Sequence, residues 1–275
     1  MIKLVDGEDF SINIINNICF ITFSSPSTRN AISLRMSAVM QEISWKKENN
    51  LSIFQKFLAD NNCLLIVVQS SVKGIFSSGG NLSDLKNASK ELCQNYASSI
   101  KAFCKLLHSC SIPSVTLLAG SAYGGGAELA LATDFRWSIG KKSDLHFTQM
   151  RFAIPAGWGG MSRLAELCPQ LSHKKISAMI IGRHSIFYEQ MVNLNLIDNT
   201  FLNIKNCYRA LNEWRDNIEQ APLDIRNDLM HRLNIKETYQ LEEYDNEIFN
   251  KYFLNFEHKK RITTFFAKRN NNAKD

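Results

Sequence analysis

The sequence contains no long apolar run and no paired cysteine motif. None of its apolar stretches approaches the roughly 20 residues that a helix needs to cross a bilayer. The first residues, MIKLVDGEDF, lack the apolar core of a secretion signal. The seven cysteines include no CxxC pair, which argues against a zinc ribbon or a redox motif. We therefore expect a cytoplasmic protein with reduced cysteines, no metal site and no membrane association.

Aromatic and basic residues are not interleaved, and the sequence has neither zinc-finger spacing nor a helix-turn-helix pattern. These absences argue against a nucleic-acid-binding protein. The net charge of +6 comes from 32 Lys and Arg against 26 Asp and Glu, with late basic clusters at 258–261 and 268–269. Such clusters suit an anionic ligand or an acidic partner, or they form a solvated basic surface.

Hydrophobic patterns alternate between strands and helices up to residue 197 and are helical from there on. We predict a hairpin over 12–23 with its turn at 16–17, a helix over 32–45 capped by Ser33, a buried strand over 64–68, a helix over 89–108 and a strand over 135–138. Later helices are predicted at 204–218, 224–233, 240–256 and 261–267. Strand, glycine turn and helix occur twice in succession, which indicates an α/β core of parallel strands joined by right-handed crossovers. The predicted division is a core at 1–200 and a helical region at 201–275.

The segment GSAYGGGAELALATD, residues 120–134, carries a glycine turn between an apolar strand and a helix. Its three consecutive glycines, 124–126, leave the backbone bare where the helix start has N–H groups without intrahelical acceptors. The helix dipole favours an anion there. Glu128, one turn into the helix, would be placed to abstract a proton next to a carbonyl. A solvated Glu128 beside an ordinary strand-to-helix turn is the alternative.

A second glycine turn, GIFSSGGNL at 74–82, follows the preceding buried strand. If the N–H groups of Gly80 and Gly125 face one cavity, they form an oxyanion hole that holds a carbonyl oxygen and stabilises an enolate. The two turns together therefore favour acyl chemistry over a purely structural role for residues 120–134.

The chain resembles the enoyl-CoA hydratase/isomerase (crotonase) superfamily in three ordered motifs. They are IFSSGGNL at 75–82, IPSV at 112–115 leading to GSAYGGGAEL at 120–129, and WGGMSRL at 158–164. The resemblance implies a crotonase-like spiral of repeated ββα units with a helical C-terminal trimerisation region, in a homotrimer or a dimer of trimers. It further implies acyl-CoA thioester chemistry through an enolate, with no cofactor beyond the CoA or phosphopantetheine moiety of the substrate.

The same resemblance assigns roles to single residues. It places the oxyanion-hole amides at Gly80 and Gly125 and the first glutamate of hydratases at Glu128. Gly124 belongs to the same ligand-binding turn.

The resemblance also suggests which residues contact CoA. Ser78 and the backbone around Phe76 would border the adenine and the pantetheine. Arg29, in the TRNA stretch at 28–31, would meet the CoA phosphates. Lys268 matches a family position where a C-terminal lysine helps to hold CoA. The CoA that it contacts is that of its own subunit or that of a neighbouring subunit. For Arg29 and Lys268, an exposed surface charge is the alternative interpretation.

The chain departs from the family hydratases at their second glutamate, which precedes the Trp/Gly-Gly-Gly stretch. Here that segment is LHFTQMRF, and no Asp or Glu lies between Asp144 and Glu166. Hydration needs one group to activate water and usually a second to deliver the proton. Gln149 or Arg151 takes the place of the missing carboxylate; a buried Arg151 would bind a carboxylate rather than abstract a proton.

Residues 127–164 resemble the ethylmalonyl-/methylmalonyl-CoA decarboxylase branch more than ordinary hydratases. In that interpretation Glu128 or a neighbouring polar group protonates the enolate, and Arg151 orients the leaving carboxylate. A salt bridge of Arg151 with Asp144 or Glu166 is the alternative.

Four further residues have chemical or structural interpretations. The Tyr123 hydroxyl is a candidate proton donor, with packing at a strand end as the alternative. His146 is a candidate acid or base, although its alternation with apolar neighbours points it away from the core. Trp158 is expected to wall the acyl pocket, and Asp134 to cap or brace the strand after the helix.

Three functions stay open. The first is an acyl-thioester decarboxylase, isomerase or lyase that uses Glu128 without a second glutamate. The second is an enoyl-CoA hydratase whose second polar group comes from Tyr123, His146 or Gln149. The third is a non-catalytic thioester-binding or assembly partner. The basic surface is compatible with delivery of the thioester by an acidic acyl carrier protein in place of free CoA.

Overall fold

The computed structural model describes residues 1–231 and positions 247, 251, 256 and 260. The chain forms two compact units, residues 1–217 and 218–275. Lys268, the predicted helix at 261–267 and most of the one predicted at 240–256 lie outside the described residues.

The first unit is a mixed α/β structure, as the sequence predicts. In the part of the chain that the structure describes, the strands are β1 Ile2–Asp6, β2 Phe10–Ile15, β3 Ile18–Phe23, β4 Ala31–Ile32, β5 Lys47–Glu48, β6 Leu51–Ser52, β7 Leu65–Ser70, β8 Gly74–Ser77, β9 Gly79–Gly80, β10 Ser114–Leu118, β11 Gly120–Tyr123, β12 Phe135–Ile139, β13 Leu145–His146, β14 Ser185–Ile186 and β15 Asn199–Phe201. The helices in the same part are α1 Leu34–Trp45, α2 Ile53–Asp60, α3 Leu82–Leu85, α4 Lys90–His108, α5 Gly125–Ala130, α6 Gly160–Leu167, α7 His173–Ile181, α8 Tyr188–Asn193, α9 Ile204–Glu219 and α10 Leu223–His231, with a 3₁₀ turn at Gln149–Phe152.

The larger sheet has the strand order β1-β2-β3-β7-β10-β12-β15. Its pairs from β3 to β15 are all parallel. The predicted parallel arrangement of these strands is therefore confirmed. The predicted hairpin is confirmed as well: β2 and β3 pair antiparallel around Asn16 and Asn17, whose φ angles of 49° and 61° are tolerated by asparagine in a two-residue turn.

Helix starts agree with the capping residues in the sequence. Ser33 accepts a hydrogen bond from the Met36 N–H at the start of α1, and Ser89 accepts one from the Leu92 N–H at the start of α4. The short helix α2 is absent from the sequence prediction although it begins with a capping box formed by Ser52. None of the described helices is long and apolar enough to cross a membrane.

The smaller sheet brings the two glycine turns together. Its order is β14-β13-β11-β8, and β11 runs parallel to both β8 and β13. A Cβ atom on Gly120 would overlap the backbone of Gly74, and one on Gly126 would overlap the carbonyl oxygen of Ser77. Only glycine permits this backbone contact, so the turns after β8 and β11 lie side by side.

The predicted brace at Asp134 is confirmed. Its Oδ2 accepts hydrogen bonds from the backbone N–H of Ser114 at 2.8 Å and from the Ser114 hydroxyl at 2.7 Å, at the start of β10. Burial raises the pKa of Asp134, while the bonds from Ser114 oppose that shift. All seven cysteines are free thiols, and all except Cys93 are buried, as predicted for core residues.

Candidate active site

The two glycine turns meet at their amides. A Cβ atom on Gly79 would lie 2.7 Å from the Tyr123 carbonyl oxygen and 3.0 Å from the Gly125 nitrogen. Gly79 has φ +92°, a left-handed conformation that favours glycine. This close approach places the strand that carries Gly80 directly against the N-terminus of α5.

The geometry directs both predicted amides away from other backbone acceptors. Gly80 pairs with Ile32, and the N–H of the next residue, Asn81, donates to the Ile32 carbonyl at 3.0 Å. Because successive N–H groups of a strand point to opposite edges, the Gly80 N–H points away from β4. Gly125 is the first residue of α5, where N–H groups have no intrahelical acceptor. The preceding Gly124, with φ +54°, turns the chain into the helix.

Trp158 covers both glycines. A Cβ atom on Gly125 would overlap the six-membered ring of the indole, and one on Gly80 would lie 3.9 Å from the same ring. Trp158 is 6% exposed. Trp158 therefore lies beside the two glycines, and its role as a wall of the acyl pocket stays a prediction.

Tyr96 is a site residue that the sequence did not reveal. A Cβ atom on Gly80 would lie 3.1 Å from the Tyr96 hydroxyl, which donates to the Ile32 carbonyl at 2.7 Å. Its ring meets Trp158 edge-on with centroids 6.2 Å apart. Burial raises the pKa of Tyr96 well above its ordinary value, so the phenol keeps its proton. In the sequence, Tyr96 continues the apolar stripe of α4 with Ile100, which is the pattern of a core residue.

Glu128 is buried, with 1% of its surface exposed, and its carboxylate accepts four N–H bonds. Oε2 accepts from the backbone N–H groups of Trp158 at 2.7 Å and Gly160 at 2.9 Å. Oε1 accepts from Gly157 N–H at 3.2 Å and from the side-chain amide of Gln149 at 3.1 Å. An ionised carboxylate offers about four lone-pair sites, so this set of donors occupies them. The sequence alternative of a solvated Glu128 is therefore wrong.

Gln149, and not Arg151, lies beside Glu128. Gln149 is buried, whereas Arg151 is exposed on the 3₁₀ turn two residues later. Of the two residues that the sequence left open for this place, Gln149 therefore occupies it, because the turn directs position 149 inward and position 151 outward. The proposed salt bridge of Arg151 with Asp144 or Glu166 is not among the ion pairs of the described residues; Glu166 contacts His108 at 2.9 Å.

Arg163 connects Glu128 to the loop that precedes α6. Its guanidinium donates to the carbonyl oxygens of Glu128 at 2.9 Å and Trp158 at 2.8 Å. Below it, burial raises the pKa of Cys104 to about 12, and the Arg163 charge opposes that rise. The buried Cys104 thiol therefore stays neutral and does not supply a nucleophile.

Tyr123 and His146 lie in a separate cluster. Their rings stack at 4.4 Å with an interplanar angle of 13°, and the Arg29 guanidinium lies 5.7 Å from the Tyr123 ring centroid. His146 Nδ1 and Ser185 Oγ are hydrogen-bonded at 2.6 Å. Burial lowers the pKa of His146. The nearby Asp144 charge opposes this shift, and the Arg151 charge adds to it. Ala122, one residue before Tyr123, faces the core, so the Tyr123 side chain points to the other face of β11.

Three of the predicted CoA-contacting residues differ in their exposure: Arg29 is exposed, Ser78 is half-buried and the Phe76 side chain is buried. Ser78 N–H donates to the Arg29 carbonyl at 3.0 Å, and the Ser78 hydroxyl donates to the Thr28 carbonyl at 3.0 Å. The segment of Arg29 is therefore joined to the turn before Gly80. The Phe76 side chain is fully buried against Phe23, which leaves its backbone as the part able to border a ligand.

Known proteins resemble this chain in sequence and in structure. "Probable enoyl-CoA hydratase 2, mitochondrial" of Arabidopsis thaliana is 27% identical over 161 residues, 58% of this chain and 50% of that protein. "Ethylmalonyl-CoA decarboxylase" of Bos taurus is 25% identical over 217 residues, 76% of this chain and 65% of that protein. The matches thus span about half to two thirds of the length of these relatives.

The fold has close counterparts among solved structures. An enoyl-CoA hydratase from Bacillus anthracis aligns with a TM-score of 0.74 at 16% identity, over 94% of this chain and 96% of the other. The expected crotonase-like α/β fold is therefore confirmed. The family model described as "Enoyl-CoA hydratase/isomerase" matches residues 13–275, nearly the whole sequence. With the glycine turns, the fold and this match in agreement, the chain belongs to the enoyl-CoA hydratase/isomerase (crotonase) family.

Proposed function

We propose that the protein is an acyl-thioester enzyme that holds the thioester carbonyl oxygen between the N–H groups of Gly80 and Gly125. Two backbone donors aimed at one oxygen stabilise the negative charge of an enolate. Within the family, we propose a decarboxylase, isomerase or lyase with a single active-site glutamate, and decarboxylation is the leading reaction.

One observation carries this choice of reaction. Among the described residues, Glu128 is the only acidic side chain that is almost completely buried, and four N–H donors already occupy its carboxylate; the partly buried Asp134 is bonded to Ser114 at the start of β10. Hydration needs a group that activates water and usually a second that delivers a proton. A decarboxylation makes the enolate without a base, because the electron pair of the broken C–C bond passes to the α-carbon and the thioester oxygen.

The enolate then needs a proton at its α-carbon. Tyr96 is the proposed donor, because its hydroxyl carries a proton and lies beside Gly80; the transfer requires the hydroxyl to release its hydrogen bond to the Ile32 carbonyl. Glu128 holds the Gly157–Gly160 loop in place, and its more weakly bonded oxygen, Oε1, is the one proposed to exchange a proton. Arg151 is the proposed partner of the leaving carboxylate; its exposed position requires the substrate to approach from that side.

The proposal extends to the carrier and the assembly. We propose CoA or the phosphopantetheine of an acyl carrier protein as the thioester carrier, contacted by Arg29, Ser78, Gly124, the Phe76 backbone and Lys268, without another cofactor. We further propose a cytoplasmic homotrimer or dimer of trimers. Tyr123 stays a proposed proton donor, and this role requires its ring to move away from the stacked ring of His146.

Hydration is the second candidate function, because the buried Gln149 contacts Glu128 and could supply the second polar group. Hydratases also occur among the relatives by name. A non-catalytic thioester-binding or assembly partner is the third candidate, and the saturated Glu128 carboxylate is the observation that favours it.

Incubation with crotonyl-CoA, methylmalonyl-CoA and ethylmalonyl-CoA in separate reactions tests the proposal. Release of carbon dioxide from a malonyl-type substrate is the expected result. Rapid hydration of crotonyl-CoA without carbon dioxide release from the others would establish the second candidate. Tight binding of all three without turnover would establish the third.

A further inference from the structure

The indole of Trp158 lies against both glycines of the proposed oxyanion hole. Its six-membered ring is packed on the α-carbon of Gly125 and approaches the position of a Gly80 Cβ atom to 3.9 Å. An oxygen held by both amide N–H groups would sit about 3 Å from each nitrogen. The ring therefore lies close to the proposed position of the reacting carbonyl.

The backbone of Trp158 is held from two sides. Its N–H donates to Glu128 Oε2 at 2.7 Å, and its carbonyl accepts from the buried Arg163 at 2.8 Å. Both partners are buried, so moving the Trp158 backbone would leave polar groups without hydrogen bonds.

The ring itself is supported on its edge. Tyr96 packs against it at 6.2 Å with an interplanar angle of 64°, and the Tyr96 hydroxyl is in turn bonded to the Ile32 carbonyl. Rotation of the indole away from Gly125 is opposed by this contact.

We infer that Trp158 is a specificity-determining residue and that the substrate class is thioesters of short acyl groups. The inference rests on the proposed function, because it concerns the acyl group of the same site. A short chain of three or four carbons ends before the indole has to move. A chain of ten carbons requires the loss of the Trp158 packing.

Saturated acyl-CoAs test the inference apart from the reaction, because they carry neither a double bond nor a carboxylate on the acyl group. We would measure the binding of propionyl-CoA, hexanoyl-CoA and decanoyl-CoA by calorimetry. For the unaltered protein, the expected affinity falls at least tenfold from propionyl-CoA to decanoyl-CoA. For Trp158→Ala, the preference is expected to disappear or to reverse.

Two further variants keep the test interpretable. Trp137→Ala removes another buried tryptophan, which packs against Phe201 and Trp214, and should leave the chain-length preference unchanged. Trp158→Phe keeps an aromatic ring and should give an intermediate chain-length preference. It replaces the alanine variant in the test if the alanine variant does not fold.

Equal affinity for all three acyl-CoAs in the unaltered protein would overturn the inference and leave the proposed function standing. An unchanged preference in a folded Trp158→Ala variant would also overturn it. Failure to bind any acyl-CoA, of any length, would instead contradict the proposed function itself.

Discussion

The side-chain amide of Gln149 donates a hydrogen bond to Glu128 Oε1 at 3.1 Å, and both side chains are buried. Three backbone N–H groups of the loop at 157–160 complete the set of donors around the same carboxylate. Glu128 thus fixes the loop that carries Trp158. The chemistry of the site and the position of its aromatic wall depend on one side chain.

Replacement of Glu128 by Gln should cost both stability and turnover. In either orientation the new amide NH₂ would face at least one backbone N–H donor, and each buried donor without an acceptor costs about 1–3 kcal/mol. We expect the free energy of unfolding in urea to fall by at least about 1 kcal/mol. The exposed Glu8→Gln variant is the matched control and should behave as the unaltered protein. Unchanged stability of Glu128→Gln would show that the four bonds do not hold the loop.

Gly125 and Trp158 should be energetically coupled. An alanine at position 125 would overlap the indole, whereas in a helix without that ring it would be favoured over glycine by about 1 kcal/mol. We expect Gly125→Ala to destabilise the unaltered protein and to be neutral or stabilising in Trp158→Ala. Urea unfolding of the four proteins of this double-mutant cycle should give a coupling above about 1 kcal/mol. Additive effects would contradict the packing described for the ring.

Replacement of Tyr96 by Phe should lower turnover and leave thioester binding in place. The ring against Trp158 is kept while the hydroxyl beside Gly80 is lost, and a positioned proton donor typically contributes about 100-fold or more. We would compare kcat and KM on the substrate that the unaltered protein consumes. Tyr208→Phe is the control, because it removes a hydroxyl bonded to Gln69 outside the site. Equal kcat in both variants would rule out Tyr96 as the donor.

His146 should make the protein less stable as the pH falls. Burial lowers the pKa of His146 below the ordinary value of about 6.5, so the unfolded chain takes up a proton in a window below that pH where the folded protein does not. Stability is therefore constant above this window and declines as pH falls through it. His146→Phe keeps a ring against Tyr123 and should flatten the decline, as measured by urea unfolding between pH 7 and pH 5. His173→Gln, at the exposed start of α7, is the control and should leave the decline of stability unchanged.

Much of the fold could be predicted because its signals are local. Alternating apolar residues gave the β2–β3 hairpin, and Ser33 and Ser89 marked the starts of α1 and α4. Helix α2 was not predicted, since its capping box at Ser52 begins only eight residues of helix, two of them buried. The contacts between glycine turns follow from the parallel sheet and not from either turn alone.

The sequence pointed to the parts of the candidate site that lie in motifs. Gly80, Gly125, Glu128 and Trp158 were named from the sequence, because family motifs mark these positions. Tyr96 lies 16 residues after Gly80 on a helix face whose pattern indicates only core packing. The inward position of Gln149 and the exposed position of Arg151 depend on the 3₁₀ turn, whose register the sequence did not indicate.

Titration with acetoacetyl-CoA, followed by the near-ultraviolet absorbance of its enolate, tests the central claim most directly. The claim is that Gly80 and Gly125 stabilise negative charge on a thioester oxygen. At a pH where free acetoacetyl-CoA is mostly in its keto form, we predict that the enolate absorbance appears on binding and saturates at one ligand per chain. Binding without the enolate absorbance would contradict the claim.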